Sequence, residues 1–240
     1  MSYNSYSVMA VYYEFLQKDA NYQKWSEFIL DKIKDAPNDI GVDVGCGTGI
    51  ITRALFDKGY SVSGIDISKE MLSEAFSLSN GKIPYYLMSA EDFCGFSNLG
   101  FITAVNDVVN YLNKKNALKF FGKAYDALTD GGLFVFDISS EYKLKNIVAN
   151  NTFTFISDDV SYIWNNELVG DKVYMDLTFF VVDKDGKYEK LTEEHLQYAH
   201  KISDILQALK SAGFKKITIK SGFGKKMTEN AERITFICKK

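Results

Sequence analysis

Short apolar runs alternate with helix-like stretches along the first 138 positions of the chain, and the pattern then changes character. The run starting at Ile40, the run Tyr60 to Ile65 and the run Ile83 to Met88 each predict a strand, with a helical pattern from Ile50 to Lys58 between the first two. An earlier helix is predicted over about residues 21–35. Alternation of strand and helix implies a parallel sheet covered by helices. From Asn151 to about Ala199 the helical period disappears. Thr152 to Ile156, Val160 to Trp164, Val173 to Val182 and Tyr188 to Tyr198 instead read as strands, separated by turn chemistry at Asp158-Asp159, Gly170-Asp171 and Asp183 to Lys187. A helical stretch, Ile202 to Ala212, and strand candidates around Ile217 and Ile234 follow.

These elements predict an α/β fold: a Rossmann-like, doubly wound, mostly parallel sheet with an antiparallel β insertion over its carboxyl edge. Residues 1–138 and 201–240 form the main domain and 139–200 the insertion. Ligands bind at the carboxyl edge of open α/β sheets, so the insertion is expected to act as a lid or wall over a site there.

Val42-Asp43-Val44-Gly45-Cys46-Gly47-Thr48-Gly49 lies between the first strand and the next helix. Glycines at alternate positions reach torsions closed to other residues and bring backbone N–H groups close to a ligand, while the helix N-terminus adds positive potential. Asp66 ends the second strand about 20 residues further on, where a carboxylate can accept both hydroxyls of a ribose. The bland role for Asp66 is to begin the next helix, but Ser68 is suited to that cap. Turn, spacing and acid together indicate a nucleotide-cofactor site. The spacing Gly-x-Gly-x-Gly departs from the Gly-x-Gly-x-x-Gly of dinucleotide sites, which weighs against nicotinamide.

An acid, an apolar residue and this glycine spacing together resemble the first motif of the class I S-adenosylmethionine-dependent methyltransferases. The resemblance covers nearly the whole chain. Ser89-Ala90-Glu91-Asp92-Phe93 sits at the family's adenine-binding turn, with Ser89 where relatives usually carry Asp. Phe101 to Asp107 looks like the fourth strand and its end, followed by Val108-Val109-Asn110-Tyr111-Leu112 where relatives read Asp-Ser-x-Asn-Tyr-Leu. Leu128 to Asp137 resembles a helix end, a glycine turn and the fifth strand, and Ser211 to Phe214 leads into the last strands.

Within the family, the chain is most similar to bacterial small-molecule-type enzymes. Tyr13-Glu14 stands for their Tyr-Asp pair, and Tyr22 and Trp25 match the aromatic pair that follows. Glu193 to His200 resembles a Glu-x-His-x-Gln-Arg-x-Tyr strand, keeping His195 and Gln197 but with Tyr198 for Arg and His200 for Tyr. The resemblance implies S-adenosylmethionine as cofactor and S-adenosylhomocysteine as its product. It implies cofactor contacts from Tyr13, Trp25, Asp43, Gly45, Gly47, Gly49, Asp66, Ile67, Ser89, Ala90, Glu91 and Asp107, and acceptor contacts from Asn110, Tyr111, His195 and Gln197; Trp164 is a further acceptor candidate, able to cover the acceptor or stack on a cation, with packing as its alternative role. Methyl transfer is an in-line displacement, so its main demand is to align acceptor and methyl group. A nitrogen or hydroxyl acceptor must also lose a proton, for which Asp107 and His195 are the catalytic candidates, with Tyr13 and Tyr111 as orienting hydroxyls.

Bulk properties narrow the field further. With 240 residues and 46% apolar content, the chain can bury one large core. A net charge of -3 and a pI near 5.5 provide no general attraction for nucleic acid, and the lysines gathered from Lys215 to Lys240 read as solvated surface. Cys46, Cys94 and Cys238 lack paired spacing and only two histidines occur, so neither a disulfide framework nor a metal site is expected. The Asp183 to Lys187 turn is too incomplete for a calcium loop. No leader pattern opens the chain and no apolar run is long enough to cross a bilayer, so a cytoplasmic monomer or homodimer is expected. The expected activity is methylation of a small-molecule nitrogen or oxygen. The alternatives are a non-catalytic cofactor-binding module, an RNA or protein methyltransferase using the late lysines, or a nicotinamide oxidoreductase. An Asn-Pro-Pro-Tyr type motif is absent after the fourth strand, which weighs against adenine-amino or glutamine-amide methylation.

Overall fold

A computed structural model of the chain describes residues 21–183 and 185–240. Its order is α1 (Tyr22–Ile33), β1 (Ile40–Val44), α2 (Ile50–Phe56), β2 (Ser61–Asp66), α3 (Lys69–Leu78), β3 (Tyr85–Leu87), β4 (Leu99–Ala104), α4 (Lys114–Ala127), β5 (Leu128–Ser139), β6 (Thr152–Phe155), β7 (Val160–Val169), β8 (Lys172–Val182), β9 (Tyr188–Tyr198), α5 (Ile202–Ala212), β10 (Lys216–Ser221) and β11 (Arg233–Lys239). Seven strands form one sheet in the order β10-β11-β5-β4-β1-β2-β3, and β6 to β9 form a second, antiparallel sheet between β5 and α5. In the first sheet β1 to β5 run parallel, β11 runs antiparallel to them, and β10, antiparallel to β11, regains their direction, as expected for a Rossmann-like fold with a β insertion.

Local chemistry explains the element boundaries. Ser68 caps α3 by accepting from the Met71 N–H at 3.1 Å, and Asn113 caps α4 by accepting from the Asn116 N–H at 2.9 Å. Gly213 ends α5 in the left-handed region. β3 is shorter than the run from Ile83 because Pro84 has no N–H to give to a ladder. Leu128 is already in β5 rather than at a helix end, and the glycine stretch behind it is absorbed as a register shift between β4 and β5. β7 outruns its apolar segment: Asn165, Asn166 and Glu167 stay extended because β8 pairs with every residue through Val169.

Apolar faces then join the layers. Trp25, Ile29, Ile33, Ile51 and Leu55 of α1 and α2 pack on one side of the first sheet against Phe101 and Val135. Phe120, Phe121, Leu209 and Phe214 pack on the other against Phe134, Phe136 and Phe236. Phe136 lies parallel to Phe236 at 4.7 Å between ring centroids, joining the parallel part of the sheet to its antiparallel edge. In β8, Val173, Met175, Leu177, Phe179 and Val181 alternate inward with period two, so the second sheet presents one apolar face. Among the described residues no helix is long and apolar enough to cross a membrane.

Phe136→Ala should lower unfolding stability by about 3–5 kcal/mol, the usual cost of emptying a buried aromatic site. Urea denaturation followed by circular dichroism checks this value.

Candidate functional site

The turn after β1 is shaped by positive φ angles of 65° at Gly45, 55° at Gly47 and 79° at Gly49. A Cβ at Gly45 would come within 2.4 Å of the Val108 side chain, and one at Gly49 within 2.5 Å of the Tyr85 hydroxyl. The loop therefore presents bare backbone at the carboxyl edge. Asp66 holds it in place: its carboxylate accepts from the Gly47 N–H at 2.8 Å and from the Ser68 N–H at 2.9 Å. The Ile67 N–H also turns to this carboxylate, which with about four acceptor positions keeps capacity for a ligand hydroxyl. Burial pushes the Asp66 pKa up, against these backbone bonds.

Asp43 lies beneath the loop. Its two oxygens accept from Thr52 Oγ1 and Thr103 Oγ1, each at 2.7 Å, tying β1 to α2 and β4. Burial drives its pKa up to about 6 despite both hydroxyls.

Further along the edge, β4 ends in two consecutive non-glycine residues with positive φ, Asn106 at 64° and Asp107 at 70°. Each such residue costs about 1–3 kcal/mol and persists only where its surroundings hold it. Here the hold is an ionic cluster. Arg233 of β11 contacts both Asp137 and Asp107, the latter at 3.1 Å. Asp107 also accepts from Ser139 Oγ at 3.0 Å, and Asp137 accepts from the Asn106 N–H at 2.6 Å. Burial works against the Arg233 charge, but the two carboxylates outweigh it and hold the guanidinium above the ordinary arginine range. The Trp25 ring lies 5.9 Å from that guanidinium, and Phe223 packs on Trp25 at 4.9 Å.

Between this edge and the second sheet lies a cavity of about 790 Å³. Tyr162, Trp164, Met175, Leu177 and Phe179 form its apolar wall. Asp107, Tyr111, Ser139, Lys143, His195, Gln197 and Arg233 supply its polar side. The Nε1 donor of Trp164 is buried without a hydrogen-bond partner among the described residues. His195 Nδ1 lies 3.4 Å from the Tyr111 hydroxyl.

Asp107, Tyr111, Trp164, His195 and Gln197, singled out from the sequence, thus meet around one cavity. Asn110 is fully buried, and its amide is taken up by Ser139 N–H, Ser139 C=O and Tyr198 C=O, so it fixes the loop rather than facing the cavity. Trp25 is likewise fully buried and supports Arg233 from behind. Ile67 beside Asp66 is half exposed. Ser89 Oγ accepts from the Asp92 N–H and donates to its carboxylate, capping the turn Ala90–Asp92, while Glu91 contacts Asn116. Tyr13 lies outside the described residues. Of the late lysines, Lys225 lines the cavity, whereas Lys240 donates to the Tyr125 and Leu128 carbonyls at the end of α4. Sequence reasoning missed Arg233, Asp137 and the strained Asn106. Among the described residues no group of three or more His, Cys, Asp or Glu side chains is arranged to hold a metal.

Comparison with known proteins agrees with this geometry. A methyltransferase-domain family model matches residues 42–132, from β1 into β5. A protein of Geobacillus sp. (strain WCH70) named "Putative methyltransferase" is 33% identical, over 98% of this chain and all of its own length. The crystal structure of an S-adenosylmethionine-dependent methyltransferase from Clostridium acetobutylicum superimposes with a TM-score of 0.88 at 33% identity, covering 95% of this chain and 96% of that one. The S-adenosylmethionine-bound amino pentose methyltransferase CalS10 of Micromonospora echinaspora shares the fold, with a TM-score of 0.75 at 17% identity, covering 95% of each chain.

The buried Asp43 carboxyl has a measurable signature in stability. Its folded-state pKa of about 6 lies above the ordinary 3.8, so the folded protein holds this proton more tightly than the unfolded chain. The favourable contribution is complete below pH 4 and is lost as pH rises through 6, a change of about 3 kcal/mol. Asp43→Asn should remove that slope, so its stability relative to the parent should rise by about that amount between pH 4 and 7 in urea titrations.

Proposed function

The chain belongs to the class I S-adenosylmethionine-dependent methyltransferase family, and from that membership we propose that it methylates a nitrogen or oxygen of a small-molecule acceptor held between its two sheets. The cavity itself carries the acceptor reading. About 790 Å³, walled by aromatic and aliphatic side chains on one side and polar groups on the other, is within the usual range for a small-molecule site. A polymer acceptor would call for an open basic groove instead, whereas Lys225 lines the cavity and Lys240 is drawn to carbonyls at the end of α4.

The cofactor is S-adenosylmethionine, which supplies a methyl group on a positively charged sulfur. The residues that would hold it are the backbone of Gly45, Gly47 and Gly49, the Asp66 carboxylate, and Ile67 with the turn at Ser89, Ala90 and Glu91. Side chains at Gly45 and Gly49 would collide with Val108 and Tyr85, so the turn offers bare backbone there, and Asp66 keeps acceptor capacity for a ribose hydroxyl. Asp43 supports the loop from below. Trp25 supports Arg233, which in turn fixes Asp107.

On the acceptor side, Trp164 Nε1 is a buried donor suited to an acceptor oxygen or nitrogen distant from the reacting atom. Its ring and Phe179 give an apolar surface to the body of the molecule. The two candidate bases differ in their surroundings, which favours His195. Asp107 already receives Arg233 and Ser139 and serves to anchor the strained end of β4. His195 faces the cavity with Tyr111 and is the group placed to take the acceptor's proton. Exclusion of water and alignment of the acceptor supply much of the remaining acceleration.

Isothermal titration calorimetry tests this assignment. S-adenosylmethionine and S-adenosylhomocysteine should both bind, NAD should not, and Asp66→Ala should weaken the first two by about 100-fold, as expected for loss of a charge-assisted hydrogen bond. Undiminished binding by Asp66→Ala would contradict the placement of the ribose. Salt-sensitive binding of RNA at the cavity mouth would contradict the small-molecule acceptor.

A further inference from the structure

β9 directs Glu193, His195 and Gln197 inward at successive alternate positions, and all three are buried. Packing alone does not explain Glu193. Its partner across the ladder is Leu177, on an apolar face where a leucine or valine would fit, and a carboxylate withdrawn from water is costly unless opposed by a donor or a positive charge. Glu193 Oε2 lies 3.4 Å from His195 Nε2, within ion-pair distance but short of hydrogen-bond geometry. The other ring nitrogen, Nδ1, lies 3.4 Å from the Tyr111 hydroxyl, which comes from the turn Val108–Tyr111 after β4.

An ionised carboxylate only accepts hydrogen bonds, and a neutral imidazole carries a single N–H. A proton on Nε2 would face the Glu193 carboxylate across that gap and leave the Nδ1 lone pair facing the Tyr111 O–H. We infer that Glu193 is a positioning residue that fixes His195 in its Nε2–H tautomer, so that Nδ1 collects the acceptor's proton through Tyr111. This deepens the reading of His195 as the base in the acceptor site.

The exchange balances. As the acceptor atom forms its bond to the methyl carbon, the sulfur keeps the electron pair of the broken bond. The acceptor's proton passes to the Tyr111 oxygen, whose own proton moves to His195 Nδ1. The resulting imidazolium is opposed by Glu193. On the facing edge Asp107 and Arg233 are paired with each other.

Only two histidines occur in the chain, so imidazole nitrogen resonances of the ¹⁵N-labelled protein can be assigned with one His195→Gln variant. His200 is an internal reference: its Nε2 lies 3.2 and 2.9 Å from the Val109 and Leu112 carbonyls, and burial pushes its pKa down. At pH 8, neutral His195 is expected as the Nε2–H tautomer. Glu193→Leu should shift at least a tenth of the population to Nδ1–H, Glu193→Gln should restore the parent tautomer because its amide oxygen still accepts, and Tyr111→Phe should move the Nδ1 resonance alone. A parent protein with the His195 proton on Nδ1 would overturn the inference even if Glu193→Leu failed to fold, and so would a tautomer unchanged in folded Glu193→Leu. These spectra need no acceptor, so they stand apart from the test of the small-molecule reading.

Discussion

A guanidinium clasped between two carboxylates holds the carboxyl edge of this sheet together. Arg233 enters from the antiparallel strand β11 and meets Asp137 on β5 and Asp107 beyond β4, while Trp25 of α1 lies behind it. A carboxylate as deeply buried as Asp137 is tolerated only beside such a cation, and the half-buried cation is held by both carboxylates. The cluster thereby fixes three strand ends and one helix in a single arrangement. Asn106 and Asp107 can keep their left-handed torsions because Asp137 holds the backbone of the first and Arg233 and Ser139 hold the side chain of the second. The turn that carries Tyr111 starts from there, so the polar wall of the cavity inherits its position from the ion cluster.

Two other buried carboxyls govern the neighbouring half of the edge. Asp43 sits under the glycine turn and Asp66 beside it, and burial raises the pKa of both. Neither position favours the folded state at neutral pH. Their value lies in what they arrange: Asp43 locks β1, α2 and β4 through two threonine hydroxyls, and Asp66 clamps the loop backbone while keeping room for a ligand. Stability is given up at the place where a family of S-adenosylmethionine-dependent enzymes needs a preformed loop, a usual exchange at functional sites. The antiparallel sheet completes the arrangement by covering the same edge with an apolar face and a polar strand, β9.

The parts of this architecture that were legible in the sequence are those with local causes. Short β-branched runs ending in glycine or aspartate marked β1 and β2, and the alternating glycines marked a bare-backbone loop. Ser68 could be read as a cap, which freed Asp66 for a ligand. His195 and Gln197 were found through a resemblance over the inserted strands and Trp164 through its ring chemistry, and the fold brings all three to Asp107 and Tyr111. The features that escaped have non-local causes. Arg233 looks like one more exposed basic residue near the end of the chain until the antiparallel register sets it opposite Ser139. Asn106-Asp107 reads as an ordinary polar strand end, because asparagine and aspartate are common in turns whether or not they are strained. Asn110 resembled a substrate contact, but burial between β5 and β9 commits its amide to backbone groups. The length of β7 depended on its partner β8 rather than on its own apolar content.

The central claim is that one continuous site runs from the glycine turn to the cavity under the second sheet, with the methyl group passing across the end of β4. A crystal structure with S-adenosylhomocysteine bound tests it most directly. The account predicts ribose oxygens within hydrogen-bond distance of the Asp66 carboxylate and the cofactor sulfur exposed to the cavity that Tyr111, Trp164 and His195 line. A sulfur turned away from that cavity, or a ribose held elsewhere than at Asp66, would contradict it.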